Sequence, residues 1–214
     1  MKSGMTVTRA VGLACNKVIL VIVRALALWK IHPNTLTFIG LVINIGAAVL
    51  LAAGQFRWAA GVIIAAGIFD MVDGRVARAT NQVTLFGAFF DSVLDRYSDL
   101  ALLMGLLVYY ASINRFFYVV LTAVVMAASV MVSYTRARSE NVIPLCKVGF
   151  MERPERIVLF IIGALFDRMA PVLWVIAVLG NLTVAHRMIH TWHETRRLEE
   201  AQLRPAGTAV AAKN

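Results

Sequence analysis

Residues 70–95 read DMVDGRVARATNQVTLFGAFFDSVLD, a run that bridges two apolar segments and puts aspartates into both. Five of the six aspartates in the chain, Asp70, Asp73, Asp91, Asp95 and Asp99, belong to these segments, roughly 58–78 and 85–111. An ionised carboxylate at membrane depth costs several kcal/mol, on the order of +3 on insertion scales, unless it is paired or metal-bound. Asp70 and Asp73 are three apart and Asp91 and Asp95 four apart, so each pair shares one helix face. Packed side by side, the two helices would bring four carboxylates together. Gly74 and Gly87 would let a backbone or a ligand approach closely. Oxygen-only ligands call for a hard cation: magnesium, manganese or calcium. A pair of magnesium ions bridged by shared aspartates suits phosphoryl-type chemistry. The plainer alternative is ion pairing with Arg75, Arg78 and Arg96 that only holds helices together, and the cost of intramembrane charge weighs against it. For Asp99, a turn deeper, a structural role stands level with a functional one.

The composition around this run makes lipid the solvent. Of 214 residues, 60% are hydrophobic and 15% charged, and the mean hydropathy is +0.75. A soluble fold cannot hide so much apolar side chain, which excludes a soluble enzyme and excludes disorder. Six segments are candidates for spanning helices, roughly 36–53, 58–78, 85–111, 116–138, 156–166 and 171–189. Before them, 6–30 carries Arg9, Lys17, Arg24 and Lys30 roughly on one side of a helix, the pattern of a helix lying on the membrane surface. The expectation is an all-α integral membrane protein, with six transmembrane helices preceded by an N-terminal interfacial amphipathic helix. It divides into a juxtamembrane segment 1–33, a six-helix domain 34–192 and a polar tail 193–214 that extends the last helix and ends in disorder.

Charge sets the expected orientation. Loops on one side hold only Arg57, Arg115 and Arg168, and the other basic residues fall at the opposite helix ends or in the tails. Both termini and the aspartates are therefore expected on the cytoplasmic side of the cell membrane. The net charge of +9 is then a topology pattern, and no nucleic-acid partner is expected. Cys15 and Cys146 form no metal or disulfide framework, and the N-terminus shows no cleavable signal.

The order Asp70-x2-Asp73-Gly74-x2-Ala77-Arg78-x8-Gly87-x3-Asp91-x3-Asp95 resembles the signature of the CDP-alcohol phosphotransferases, position for position. That family has six transmembrane helices behind a surface-lying helix, so the resemblance covers most of the chain. It implies transfer of a phosphatidyl group from CDP-diacylglycerol to a small alcohol, with release of CMP. It also implies that Asp70, Asp73, Asp91 and Asp95 hold two Mg2+ ions (Mn2+ being possible), that Asp95 is also the base, and that the protein is a homodimer. The CDP-lipid would meet Asn34, Thr35, Leu36 and Thr37 of a Pro-x-x-x-Thr motif, with Gly74, Arg78 and Thr84. Asn34 stands where relatives often have aspartate. Residues 33–37 read equally as a helix N-cap, Asn34, behind a proline.

Arg136 and Arg138 in SYTRARSE, with Arg153 and Arg156 in MERPERIV, would gather at the cytoplasmic mouth. Arginine forks bind phosphate, so a cluster beyond what CDP needs suggests a phosphorylated acceptor. Arg136 and Arg138, two apart on a helix, diverge by about 200°, so not both need face the pocket. This half resembles the bacterial phosphatidylinositol-phosphate synthases and related archaeal inositol-phosphate enzymes. The expected acceptor is L-myo-inositol 1-phosphate, its phosphate among those four arginines. Rivals are a phosphatidylglycerophosphate or phosphatidylserine synthase of the same family and, from another class, a divalent-cation transporter.

Overall fold

The computed structural model describes residues 33–79 and 83–203. Among them six helices form and no strand does: α1 (Pro33–Ala52), α2 (Phe56–Ala79), α3 (Leu85–Ser112), α4 (Phe116–Ser139), α5 (Arg153–Leu165) and α6 (Met169–Leu203). The expected surface helix over 6–30 and the end of the tail lie outside the described residues. Each helix covers one expected segment, with its ends shifted. α5 starts at Arg153, where Pro154 suits a first turn and Glu155 meets the positive end of the helix dipole. α1 is described from Pro33, and Asn34 is already helical there, so it is not the N-cap that one of its two readings offered. The polar segment placed at 193–214 begins within α6, where Glu194 and Arg197 pair at 2.8 Å along the helix surface.

Among the described residues, three helices, α1, α4 and α6 over Met169–Ala201, are long and apolar enough to cross a membrane. α2 and α3 are longer than α1, but their aspartates and arginines interrupt the apolar run. α5 has only 13 residues, about 20 Å of helix.

The helices close a ring. α1 lies against α2 and α3, α5 against α2 and α6, and α4 against α3 and α6. Among the described residues, α2 and α3 make no backbone contact with each other, which corrects the expected side-by-side pairing of the aspartate helices. α1 packs on both instead. Its buried face, Leu36, Thr37, Gly40, Asn44, Ala47, Ala48 and Leu51, follows the helical period and is mostly small. Repulsion among the carboxylates favours the same separation. The core then runs from Ala47 and Leu51 through Ile63, Leu102 and Leu106 to Val125, Leu173 and Ile176. Outward-facing Val42, Ile45, Val49, Met104, Val108, Val120 and Val124 are exposed, an apolar wall of the kind that faces lipid.

The two ends differ. At one, Arg57 pairs with Asp167 at 3.3 Å and Tyr109 meets Phe56 edge-on at 4.8 Å. At the other, α6 ties down the connection from α4 to α5. Arg187, 1% exposed, donates from Nε to Val148 O (2.8 Å), from Nη1 to Val132 O (2.5 Å) and from Nη2 to Glu152 Oε1 (2.8 Å). Thr183 Oγ1 accepts from the N–H groups of Phe150 and Met151, both at 3.2 Å. Gly149, at φ +125°, lets the chain pass there.

α1 and α3 approach closely at Gly105, where an added β-carbon would strike the Ala48 backbone. Gly105→Ala should therefore cost about 1–3 kcal/mol through overpacking. Gly46→Ala, with nothing within 4 Å of its added methyl, should not destabilise. Thermal unfolding in detergent checks both.

Candidate active site

α2 carries Asp70 and α3 carries Asp91, Asp95 and Asp99, each on the side facing the gap that α1 floors. One carboxylate oxygen from each of Asp70, Asp91 and Asp95 lies within 4.8 Å of the others. Asp73 and Gly74 are helical positions of α2 whose side chains lie outside the described set. A small cavity reaches in from this cluster, lined by Thr37, Gly40 and Asn44 of α1, Asp70, Asp95, Ser98 and Arg153. Side-chain exposure falls from 34% at Asp70 to 16% at Asp95 and 8% at Asp99, so the acids run from mouth to floor.

Two arginines of α5 reach across the gap. Arg153 Nη1 stands 2.8 Å from Asp70 Oδ2 and 3.0 Å from Asp95 Oδ1. Arg156, 3% exposed, places Nη2 2.5 Å from Asp99 Oδ2 and Nη1 3.4 Å from Met151 O. Asp99 is thus paired in the interior, and of the two roles open for it the structure shows a salt bridge. Arg96 donates to the Ser92 carbonyl of its own helix and lies 4.0 Å from Asp95 Oδ2. Arg78 is exposed at the end of α2.

The four arginines expected around one phosphate do not form one cluster. Arg153 and Arg156 face the aspartates. Arg136 faces Glu140 at 3.1 Å and Glu152 at 3.2 Å. Arg138 is exposed and points elsewhere, as its helical offset from Arg136 dictates. Arg136 also lines an open cavity with Lys147, Gly149, Phe150, Glu152 and Glu155. Lys147 and Arg187 were not singled out from the sequence, and Glu152 only as an acid suited to the start of the fifth helix. Glu152 is shared between Arg136 and Arg187, which couples this cavity to α6.

At the start of α3, Thr84 is the N-cap, its Oγ1 accepting from Gly87 N–H at 2.9 Å. A β-carbon on Gly87 would lie 2.9 Å from that oxygen and 3.3 Å from Asn34 Oδ1. Glycine therefore lets Asn34 and Thr84 adjoin, two of the residues expected near the CDP-lipid. Thr35 is exposed beside them and Thr37 lines the aspartate cavity, whereas Leu36 is 1% exposed and packs in the interior.

The donor set fits a divalent cation. It consists of converging carboxylate oxygens with no sulfur or imidazole, and a guanidinium already stands on two of them as a counter-cation.

Residues 30–192 match the family model for CDP-alcohol phosphatidyltransferase. The chain belongs to that family. This membership sets aside the transporter alternative. Among its relatives is the archaetidylinositol phosphate synthase of Pyrococcus horikoshii, 36% identical over 182 residues, covering 82% of this chain and 90% of the relative. The phosphatidylinositol phosphate synthase of Mycobacteroides abscessus is 35% identical over 166 residues, covering 73% and 75%. The crystal structure of the Mycobacterium tuberculosis phosphatidylinositol phosphate synthase with CDP-DAG bound superposes with a TM-score of 0.76 at 29% identity, covering 82% of this chain and 94% of that one. The same enzyme with manganese and citrate gives 0.73 at 30% identity, covering 80% and 87%.

The Asp99–Arg156 pair carries a testable cost. Asp99→Ala leaves a guanidinium buried and unpaired, and should destabilise this CDP-alcohol phosphatidyltransferase by about 3–5 kcal/mol. Combining Asp99→Ala with Arg156→Met should recover much of that loss in detergent unfolding.

Proposed function

We propose that this enzyme transfers the phosphatidyl group of CDP-diacylglycerol to L-myo-inositol 1-phosphate, giving phosphatidylinositol phosphate and CMP. The observation that carries the reading is the meeting of the Asp70, Asp91 and Asp95 carboxylates across the gap between α2 and α3, with Arg153 at its mouth. Asp70, Asp73, Asp91 and Asp95 would hold two Mg2+ ions, with Mn2+ able to replace them. When bound, such ions offset the charge of a pyrophosphate and of the CMP that leaves it. Asp95, on the cavity and in reach of Arg153, accepts the proton of the acceptor hydroxyl. The freed oxygen attacks the phosphorus that bears the diacylglycerol, and the bond from that phosphorus to the CMP oxygen breaks. Asn34, Thr35 and Thr84 flank the CDP end, with Gly74 and Arg78 of α2 beyond, and Leu36 supports them from the interior.

Arg153 is the arginine best placed to hold the acceptor phosphate and so aim its hydroxyl at Asp95. Arg136 and Lys147 at the neighbouring cavity add charge there, Arg156 backs Arg153 through Asp99, and Arg138 is the outermost of the set. The names of the relatives support an inositol-phosphate acceptor over glycerol 3-phosphate or serine.

The same proposal places six spans in the cell membrane, with the site and both termini on the cytoplasmic side. Support comes from the closed ring of six helices and from the scarcity of basic residues at the end holding Arg57, Arg115 and Arg168. The division into 1–33, 34–192 and 193–214 belongs to it on the sequence pattern, and a homodimer on the resemblance alone.

Purified enzyme given radiolabelled CDP-diacylglycerol and Mg2+ should release CMP with inositol 1-phosphate. Turnover with glycerol 3-phosphate or serine alone would reassign the acceptor. Asp95→Asn should lower kcat by about 10²-fold or more while changing CDP-lipid binding little, because it removes a base and keeps the shape. A matching loss of CDP-lipid binding would make Asp95 chiefly a ligand.

A further inference from the structure

Arg153 stands where a metal ion would compete with it. Its Nη1 engages Asp70 and Asp95 at once, at 2.8 and 3.0 Å. Its Nε is buried 3.5 Å from Asp99 Oδ1, an ion pair in which neither atom makes a hydrogen bond. An arginine seated for geometry uses its donors as a fork. Here a single Nη1 spans two acids and Nε meets a third without a hydrogen bond, so attraction to the grouped carboxylates accounts for the position. We propose that Arg153 is a built-in counter-cation which a divalent ion must displace from Asp70 and Asp95. Loading the ion and freeing the guanidinium for an anionic acceptor are then one event. This deepens the function proposed above and rests on its reading of the aspartates as metal ligands.

Several features fit a side chain that leaves. The same two carboxylates serve both cations, and like charges repel strongly where water is scarce. Arg153 is the first residue of α5, so its long stem can withdraw without moving the helix. Arg156, one turn on, is 3% exposed and tied to Asp99 and Met151, so it holds α5 in place meanwhile. The coupling is reciprocal: an anion that draws Arg153 away must tighten metal binding, and the metal must tighten anion binding.

The test is Mn2+ affinity of the full chain in detergent, without CDP-lipid, followed by electron paramagnetic resonance of the free ion. R153Q should bind Mn2+ about tenfold tighter than wild type, because no competitor has to leave. Its unfolding temperature should also rise more on Mn2+ addition than that of wild type, since its metal-free form lacks a counter-cation. Equal or weaker Mn2+ affinity in R153Q overturns the proposal and leaves the metal reading intact. Absence of Mn2+ binding in both proteins overturns the metal reading and the proposal with it. Should R153Q not fold, R153K carries the comparison, since a single ammonium replaces the fork: tighter binding supports displacement, and equal or weaker binding overturns it.

Discussion

Negative charge gathered inside an apolar ring is the constraint to which the rest of this molecule answers. Three carboxylates share a space of less than 5 Å on two helices whose backbones, among the described residues, do not meet. Water is too scarce there to screen them, so cations must. The fold meets this by leaving a gap between α2 and α3, flooring it with the small-residue face of α1, and closing it with the arginine-bearing start of α5. A tighter packing of the two aspartate helices would leave no room for a cation or a substrate phosphate.

Within that gap the charges divide by depth. Asp99 and Arg156 form a buried pair that neutralises itself and joins α3 to α5. Asp70, Asp91 and Asp95 lie nearer the mouth, and Asp70 and Asp95 share Arg153. One pair therefore serves as an anchor and the other acids stay available for chemistry. The anchor is braced from behind, since Arg187 and Thr183 of α6 hold the connection that delivers Arg153 and Arg156 to the gap.

Much of this was legible in the chain. The spacing of Asp70, Asp91 and Asp95 inside apolar segments pointed to the gathering of carboxylates that the structure has, and apolar run lengths located all six described helices to within a few residues, save the long extension of α6. Contacts between distant positions were not legible. Arg153 and Asp70 are 83 positions apart, Arg187 and Glu152 35 apart. A basic residue near a helix end reads as a topology signal whether it faces lipid headgroups, as exposed Arg138 can, or is wholly buried, as Arg187 is. The same ambiguity hid the sorting of the arginines between aspartates and glutamates. Thr84 as a cap was missed because a threonine ahead of a helix serves a ligand and an N–H group equally well.

The central claim is that the acids of α2 and α3 chelate together. Crystals soaked in Mn2+ and measured at the manganese absorption edge test it most directly. The account requires an anomalous peak within bonding distance of Asp70, Asp91 and Asp95. A structure in which the manganese signal lies only on outer carboxylates such as Glu194 or Glu199, with the gap between α2 and α3 blank, would contradict it.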